Sequence, residues 1–314
     1  MQLALQTDSV RDLPFEQVLD LCVDLGVRNL EIPTGGQSSA PHLQIDELLG
    51  DPSKLARFED QLASRGLTIA ALNCSAWPMH PVLGAAHAEL IRRTIELAER
   101  LDVHTIVSMS GCPGDGPADT TLNWVWSTWP DDQADLLARQ WDVAIPFWQA
   151  MVAHAADHGV DRIAFELHPM QLVYNVPTLT RMRDAVGTTI GANLDPSHLF
   201  WQQMDPLAVI RVLGKSVYHV HLKDTKAEPV RLAIAGVLDQ KTGNSNTDRA
   251  WNFRTLGVGH DRDYWAAFVD ALRAVGYDGF LSIENEDPYQ EGEEGVREAA
   301  AFMEPLLTAA EVAG

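Results

Sequence analysis

The sequence predicts an α/β protein in which residues 1–314 form a single (β/α)8 TIM barrel domain, with long loops after strands 4 and 7. Three observations support this prediction. Short apolar strand patterns alternate with helical patterns eight times, which is typical of a parallel sheet with helical crossovers. A length of 314 residues and an apolar fraction of 46% suit one such barrel. Four of the later strands become polar at their ends, where barrel active sites lie.

The elements follow one another without a domain boundary. The strands are expected at Leu3–Gln6, Asn29–Ile32, Leu67–Asn73, Thr105–Met109, Arg162–Leu167, Thr189–Leu194, Ser216–Leu222 and Gly279–Ile283. The helices, whose apolar residues recur at helical spacing, are expected at Leu13–Leu25, Ser53–Arg65, Ala85–Leu101, Gln140–His158, Pro177–Val186, Pro206–Leu213, Asp263–Val275 and Glu294–Leu307. An open doubly wound sheet is the alternative. The lack of a glycine-rich turn after the first strand argues against it.

Two long insertions interrupt the repeat, at Ser110–Pro130 and Asp224–Asp261. The first contains several glycines and prolines together with Trp124, Trp126 and Trp129. It is too aromatic for a disordered linker. Two interpretations stay open, namely an ordered lid over the barrel mouth and a surface loop that packs its tryptophans on a partner subunit.

Charge and cysteine content limit the partners. The 23 basic and 44 acidic residues give a formal charge of −21, which disfavours nucleic acid and anionic membranes. Cys22, Cys74 and Cys112 form no CxxC motif, so reduced thiols are expected. The N-terminus has no basic segment, and no window approaches the roughly 18 apolar residues of a membrane span. We therefore expect a cytoplasmic protein.

The polar strand ends carry Glu166, Asp195, His221 and Glu284. Side chains alternate between the inside and the outside of a barrel strand, and these four share the inward parity of their strands. Three carboxylates brought together would repel one another without a cation. We therefore expect one divalent metal ion, and this oxygen and nitrogen set suits Mn²⁺, Mg²⁺, Co²⁺ or Fe²⁺. The alternative is that one or more of them are ordinary polar strand ends.

Other polar residues lie close to this set in sequence. His198 follows Asp195 by three residues and is a candidate substrate contact. Lys223 shares the parity of His221, so it either reaches substrate or pairs with an acid at the rim. Glu286 is a rival of Glu284, and His219 is interpreted as a core histidine one layer below His221.

At these residues the sequence resembles the sugar isomerase and epimerase branch of the xylose isomerase-like barrel superfamily. The motifs are Glu-Leu-His at 166–168, Asp-Pro-Ser-His at 195–198, His-Val-His-Leu-Lys-Asp at 219–224 and Ser-Ile-Glu at 282–284. The resemblance covers essentially the whole chain. It implies that the three acids and one imidazole named above hold a divalent metal, most often manganese, with Mg²⁺, Co²⁺, Fe²⁺ or Zn²⁺ as alternatives. It also implies that Glu166 and Glu284 exchange protons with the substrate.

The same resemblance implies that His198 contacts a substrate oxygen and that a basic residue near Arg254 does so too. The long insertions, and His168 beside Glu166, resemble the catalytic subunits of metal-dependent C-glycoside deglycosidases, which work with a small partner subunit. Trp126 and His80 are further candidates for sugar contacts, because aromatic rings complement sugar surfaces.

The function expected from these features is a metal-dependent isomerase or epimerase that acts on a sugar or keto-sugar through an enediolate intermediate. The alternative is a metal-dependent lyase that cleaves 3-oxo-glycosides by α-proton abstraction and elimination, with His168 as acid or base. The expected partner is a small carbohydrate, with no nucleic acid and no membrane. We expect a homo-oligomer, with a small accessory subunit as a further option. A metal nuclease acting on abasic DNA and a non-catalytic sugar-binding barrel are competing classes.

Overall fold

A computed structural model shows a closed barrel of eight parallel strands and describes residues 1–116, 118–238 and 248–308. The strand order around the barrel is β1-β10-β7-β6-β5-β4-β3-β2, and β8 and β9 form a separate antiparallel hairpin. The strands are β1 (Gln2–Gln6), β2 (Asn29–Gly36), β3 (Thr68–Ser75), β4 (Thr105–Ser108), β5 (Arg162–Glu166), β6 (Ile190–Leu194), β7 (Val217–Leu222), β8 (Asp224–Ala227), β9 (Trp251–Arg254) and β10 (Phe280–Ile283). The predicted (β/α)8 barrel and its eight strands are thereby confirmed.

Helices connect successive barrel strands. They are α1 (Phe15–Leu25), α2 (Ile45–Gly50), α3 (Pro52–Ala63), α4 (Gly84–Arg100), α5 (Asp131–Asp157), α6 (Val176–Val186), α7 (Pro196–Trp201), α8 (Pro206–Leu213), α9 (Pro229–Ala235), α10 (Arg262–Ala274) and α11 (Gly292–Thr308). Short 3₁₀ turns occupy Thr7–Val10 and Gly214–Ser216. In the described part of the chain, no helix is both long enough and apolar enough to traverse a bilayer.

The alternation of side chains along the strands separates two layers. Outward residues such as Phe165, Leu194 and Ile283 are fully buried in the main core between sheet and helices. Small inward residues, among them Ala71 and Val107, form a separate apolar cluster inside the barrel. The small inward side chains leave room for longer polar ones higher in the barrel, which is how the strands present acids and imidazoles at one end.

Some elements differ from the sequence-based expectation. Helix α5 begins at Asp131 instead of Gln140, and most of its first nine residues are exposed, so they carry no apolar periodicity. The six-residue helix α7 directly follows β6 and is too short to give a helical pattern. Within the second insertion, the hairpin of β8 and β9 pairs Asp224 with Arg254 and Ala227 with Trp251. Residues 239–247 of that insertion lie outside the described residues.

The first insertion packs beside the barrel mouth. The amide of Gly111 donates to Gln171 Oε1 at 2.8 Å, and Trp124 packs edge-on against Tyr174. Trp126 and Trp129 are 68% and 82% exposed. Of the described residues of this insertion, none lines the cavity described below. This disfavours the ordered lid, one of the two interpretations left open by the sequence.

Candidate metal centre and active site

Four side chains converge at the carboxyl ends of four neighbouring barrel strands. Glu166 is the last residue of β5, Asp195 follows β6, His221 lies in β7 and Glu284 follows β10. These strands are adjacent in the order β5-β6-β7-β10. One ligand atom from each of the four residues lies within 4.8 Å of all the others. The structure therefore brings together the set that the sequence singled out.

Asp195 uses its two carboxylate oxygens for different purposes. Oδ1 accepts a hydrogen bond from the Ser197 amide at 2.8 Å and so caps α7. Oδ2 is buried and accepts no hydrogen bond, although Lys223 Nζ and His198 Nε2 lie 3.0 and 3.3 Å away. A buried carboxylate oxygen with no hydrogen-bond donor is costly unless a cation faces it.

His221 is held between two acids. Its Nδ1 lies 2.8 Å from Glu284 Oε2, and its Nε2 lies 3.0 Å from Glu31 Oε1. Burial lowers the pKa of the imidazole, but the two carboxylates outweigh burial and raise the pKa well above its ordinary value. The contact with Glu31, below the site, also fixes the orientation of the His221 ring.

Glu31 is the centre of a buried polar layer one level below the four strand ends. Its carboxylate lies 2.7 Å from His219 Nε2 and accepts a hydrogen bond from Asn73 Nδ2 at 2.6 Å. Burial raises the pKa of Glu31, but the charges and hydrogen bonds of His221 and His219 outweigh burial and lower this pKa well below its usual value. The register of β2 against β3 shifts between Leu30 and Glu31, and such irregularities are common beside active sites. His219 is thus a satisfied interior histidine, as its sequence position suggested.

Lys223 supplies positive charge among the acids. Its Nζ lies 2.8 Å from Glu284, 3.0 Å from Asp195 and 3.0 Å from Glu286. Burial lowers the pKa of the ammonium, but the carboxylates raise it well above the ordinary value. The lysine is therefore charged, and it pairs with acids at the rim, which is one of the two roles expected from the sequence.

The two glutamates of the cluster are ionised at neutral pH. Burial raises the pKa of Glu166, but the hydrogen bond from His198 Nε2 at 2.9 Å and nearby positive charges lower it below its ordinary value. Burial likewise raises the pKa of Glu284, and Lys223 and His221 outweigh burial and lower it to about 2. Both carboxylates are therefore able to accept a proton from a bound molecule.

His168 is an uncharged imidazole at the site. Burial lowers its pKa to about 3, with the charge of His198 as a further cause. Its ring packs edge-on against His198, with centroids 4.1 Å apart, and its Nδ1 contacts the carbonyl oxygen of Pro169. The imidazole is therefore neutral over the physiological pH range and faces the same cavity as Glu166.

A cavity of ≈ 300 Å³ opens above these groups. Three of its walls matter for the chemistry: the acids and imidazoles of the barrel, the start of the chain around Asp8, and Phe253 of the β8–β9 hairpin. Phe253 packs edge-on against His198 and lies under Lys223 Nζ, 4.8 Å from its ring centroid. Sequence reasoning missed Phe253 because its strand has only four residues, Trp251–Arg254, so their alternation is too short to distinguish a strand from the rest of the long insertion.

The buried acid Asp224 anchors the hairpin. Its Oδ2 accepts hydrogen bonds from the amides of Gly259 and His260, each at 2.9 Å, and its Oδ1 lies 2.7 Å from His260 Nδ1. A Cβ on Gly259 would come within 2.2 Å of the Thr225 carbonyl oxygen, so this close approach requires glycine. These contacts join the start of the second insertion to its end, next to the site.

Three residues expected to contact substrate are not among the described residues that line the cavity. Arg254 pairs with Asp287 at 2.9 Å and lies over the ring of Tyr289. Trp126 is exposed on the first insertion, and His80 Nδ1 accepts hydrogen bonds from backbone amides just before α4. Arg254 and His80 make other contacts and Trp126 faces solvent, whereas His198 and Lys223 do line the cavity.

The residues present fit a divalent cation. Three carboxylates and one imidazole form the donor set that Mn²⁺, Fe²⁺, Co²⁺ or Zn²⁺ accepts. Asp195 Oδ2 agrees with this, because it is buried and accepts no hydrogen bond, and its close cationic neighbour, Lys223 Nζ at 3.0 Å, is shared with Glu284 and Glu286. Glu31 provides the outer contact that metal-binding histidines commonly have.

Comparison with known proteins agrees with this architecture. A profile of the xylose isomerase-like TIM barrel matches residues 19–306. The uncharacterised protein YfiH of Bacillus subtilis (strain 168) is 42% identical over 312 residues, covering 98% of this chain and 100% of its own length. The IolI protein with a zinc atom has a TM-score of 0.66 at 17% identity, over 98% of this chain and 99% of that one. D-psicose 3-epimerase in the presence of D-fructose has a TM-score of 0.64 at 15% identity, with coverage of 98% and 99%. The two structures establish likeness of fold alone.

Proposed function

Because the chain belongs to the xylose isomerase-like TIM barrel family, we propose that it is a divalent-metal-dependent isomerase or epimerase of a sugar or keto-sugar. The observation that carries this proposal is the convergence of Glu166, Asp195, His221 and Glu284 within 4.8 Å at the carboxyl end of the barrel. An epimerase and a zinc-containing protein with the same fold support it.

The four converging side chains would hold the metal, which we propose is manganese. When bound, it would supply Lewis-acid stabilisation for negative charge that develops on the oxygens of an enolising substrate. Glu31 keeps the His221 ring in place from below, and the amide of Ser197 keeps the Asp195 carboxylate in place. These contacts preorganise the ligand set, so little reorganisation accompanies catalysis.

Glu166 and Glu284 would carry the proton transfers. Both are ionised, and both line the cavity. One carboxylate takes the proton from the carbon next to the carbonyl. The other first takes up a proton from solvent and then returns that proton to the planar intermediate. Return to the opposite face of the same carbon gives epimerisation, whereas return to the neighbouring carbon gives isomerisation. His198, bonded to Glu166, would orient that carboxylate and contact a substrate oxygen.

The cavity favours a small uncharged substrate. Its volume of ≈ 300 Å³ lies at the lower end of the range for ligand pockets, about 300–1,000 Å³. Among the described residues that line the cavity, one arginine and one lysine are present, Arg11 and Lys223. The charge of Lys223 is already balanced by three carboxylates. A phosphate group would meet more acids than bases here, so we propose an unphosphorylated monosaccharide or a polyol ketone.

A lyase outcome is the second candidate, and His168 favours it. This neutral imidazole lines the same cavity as Glu166 and Glu284. If a substituent on the far side of the intermediate leaves, His168 is placed to exchange the proton that elimination requires. The lyase and the isomerase or epimerase would share the first step, proton abstraction, and would differ in what happens to the intermediate.

Deuterium exchange tests the proposal. The manganese-loaded protein is incubated with unphosphorylated keto-sugars in D₂O, and incorporation is followed by NMR and mass spectrometry. We expect deuterium at the carbon next to the carbonyl of any substrate that is converted. Glu284→Gln should lower the exchange rate by at least about 10²-fold, because general acid–base groups contribute about 10²–10⁴-fold.

The matched control is Glu47→Gln, since Glu47 is a half-exposed surface glutamate paired with Lys54. It should exchange deuterium at the wild-type rate. Conversion of a substrate without deuterium uptake would contradict the proton-transfer scheme. An olefinic or unsaturated product in place of an epimer would select the lyase candidate.

A further inference from the structure

A second cluster of metal-ligand side chains lies between α4 and α5, away from the cavity. One ligand atom each from Glu96, His154 and His158 lies within 4.8 Å of the other two. All three residues are partly exposed. Glu96 lies in the last two turns of α4, while His154 lies in the last turn of α5 and His158 is its C-cap. In a (β/α)8 barrel the helices end near the amino ends of the strands, so this cluster lies at the end opposite to the active site.

The local sequence explains the geometry. His154 and His158 are four residues apart on α5, so they lie on the same helix face, and their ring centroids are 4.5 Å apart. Glu96 is supplied by the neighbouring helix, which packs beside α5. A pair of histidines at this spacing with a carboxylate from a second helix provides three ligands without any change of backbone.

Two further observations point to a ligand. Glu99 Oε2 lies 2.8 Å from His158 Nδ1, which holds that ring and leaves Nε2 as its available nitrogen. Carboxylates commonly orient metal-binding histidines in this way. His154 Nε2 is buried and has no hydrogen-bond partner in the structure. A metal ion facing the lone pair of this nitrogen would give it the partner that it lacks.

We propose that Glu96, His154 and His158 bind a second divalent transition metal of the zinc class, which joins α4 to α5. Two imidazoles and one carboxylate are a borderline donor set that suits Zn²⁺, Co²⁺, Ni²⁺ or Cu²⁺ better than Mg²⁺ or Ca²⁺. The partial exposure of the cluster lets water complete the coordination. The metal stabilises the fold at the bottom of the barrel, where barrel residues serve stability and not catalysis. This site does not depend on the function proposed for the barrel mouth.

Zinc stoichiometry tests the proposal. The protein is stripped of metal, titrated with Zn²⁺ against a chromogenic chelator, and compared with the double variant His154→Ala/His158→Ala. The double variant should bind about one equivalent fewer than wild type, because both imidazoles are removed. His104→Ala is the matched control, since this exposed histidine lies just before β4 at the same end of the barrel and belongs to no such cluster. It should bind as many equivalents as wild type.

A milder variant guards against misfolding. Glu99→Gln changes an exposed side chain, keeps all three ligands and should weaken zinc affinity at this site by about 10–100-fold, as removal of such outer contacts commonly does. Zinc should also raise the melting temperature of wild type more than that of the double variant. Equal zinc stoichiometry in wild type and in a correctly folded double variant would overturn the proposal.

Discussion

The carboxylate of Glu31 lies 3.0 Å from Nε2 of His221, while Nδ1 of the same ring lies 2.8 Å from Glu284. One imidazole therefore joins an acid buried inside the barrel to an acid at its mouth. Glu31 and His221 are 190 residues apart in sequence. The contact fixes which nitrogen of His221 is presented to the cluster, because the other is already engaged.

Glu31→Gln should weaken binding of the divalent metal by about 10–100-fold, because the amide no longer provides a charged partner for the His221 ring. The fold should persist, since glutamine retains the size of the side chain and its contact with Asn73. Metal affinity is measured by competition with a chelator and the fold by circular dichroism. Glu47→Gln serves as the control, and an unchanged affinity in the folded variant would remove Glu31 from the site.

Lys223→Met should destabilise the metal-free protein by about 3–5 kcal/mol, the loss typical of breaking a buried ion pair. Asp195 and Glu284 would then keep their charges without the nearby ammonium. A bound divalent cation would supply the missing charge, so the loss should be smaller with saturating Mn²⁺. Urea denaturation with and without the metal measures both values.

The control for this experiment is Lys54→Met, because Lys54 forms a solvent-exposed pair with Glu47. Exposed pairs contribute about 0–1 kcal/mol, so this variant should change stability little. An equal loss for Lys223→Met in the two metal states would argue that the lysine and the metal do not share the same carboxylates.

Asp224→Asn should loosen the second insertion. The aspartate accepts hydrogen bonds from the amides of Gly259 and His260 and contacts the His260 ring. An asparagine offers one neutral acceptor in place of a charged carboxylate, so we expect a loss of about 1–3 kcal/mol and faster proteolysis within Asp224–Asp261. Asp270→Asn, an exposed change, is the control. Wild-type protease resistance in Asp224→Asn would contradict the anchoring role.

Asp287 predicts a specific dependence of stability on pH. Burial raises the pKa of this carboxyl, but the Thr255 amide and the Arg254 guanidinium outweigh burial and lower the pKa below its ordinary value. A carboxylate whose folded pKa is lowered stabilises the fold above its unfolded pKa, about 3.9, and this contribution is lost as the pH falls through the folded pKa.

Asp287→Asn removes that contribution, so the stability difference from wild type should be constant from neutral pH down to about pH 5 and shrink below about pH 4. At neutral pH we expect a difference of about 1–3 kcal/mol. Urea denaturation from pH 7 to pH 3 measures it. A stability difference that does not change with pH would show that the negative charge of Asp287 contributes nothing to stability.

The barrel and the four strand ends could be predicted from sequence because each is a local signal. A short apolar strand that ends in Glu166 or Asp195 can be recognised without knowledge of its neighbours. The parity of the strand then decides which side chains face inward. The parallel direction of the strands brings those ends to one place, since a closed parallel barrel has all the carboxyl ends of its strands on one face.

Glu31 could not be assigned in the same way. Its strand shows one glutamate between Leu30 and Ile32, and the two histidines that it contacts lie 188 and 190 residues away. Its inward parity was visible, but its partners were not. Phe253 was missed for a different reason. Its strand, Trp251–Arg254, has only four residues, and its place beside His198 depends on the pairing of this strand with β8.

The β8–β9 hairpin belongs to a separate two-stranded sheet that makes no ladder with the barrel. Its aromatic residue Phe253 nevertheless forms one wall above His198. Divergence in this hairpin would leave the four barrel strands that carry Glu166, Asp195, His221 and Glu284 undisturbed. Under the function proposed above, transplanting Asp224–Asp261 between homologues should therefore change which substrates are accepted and leave the proton-transferring glutamates as they are.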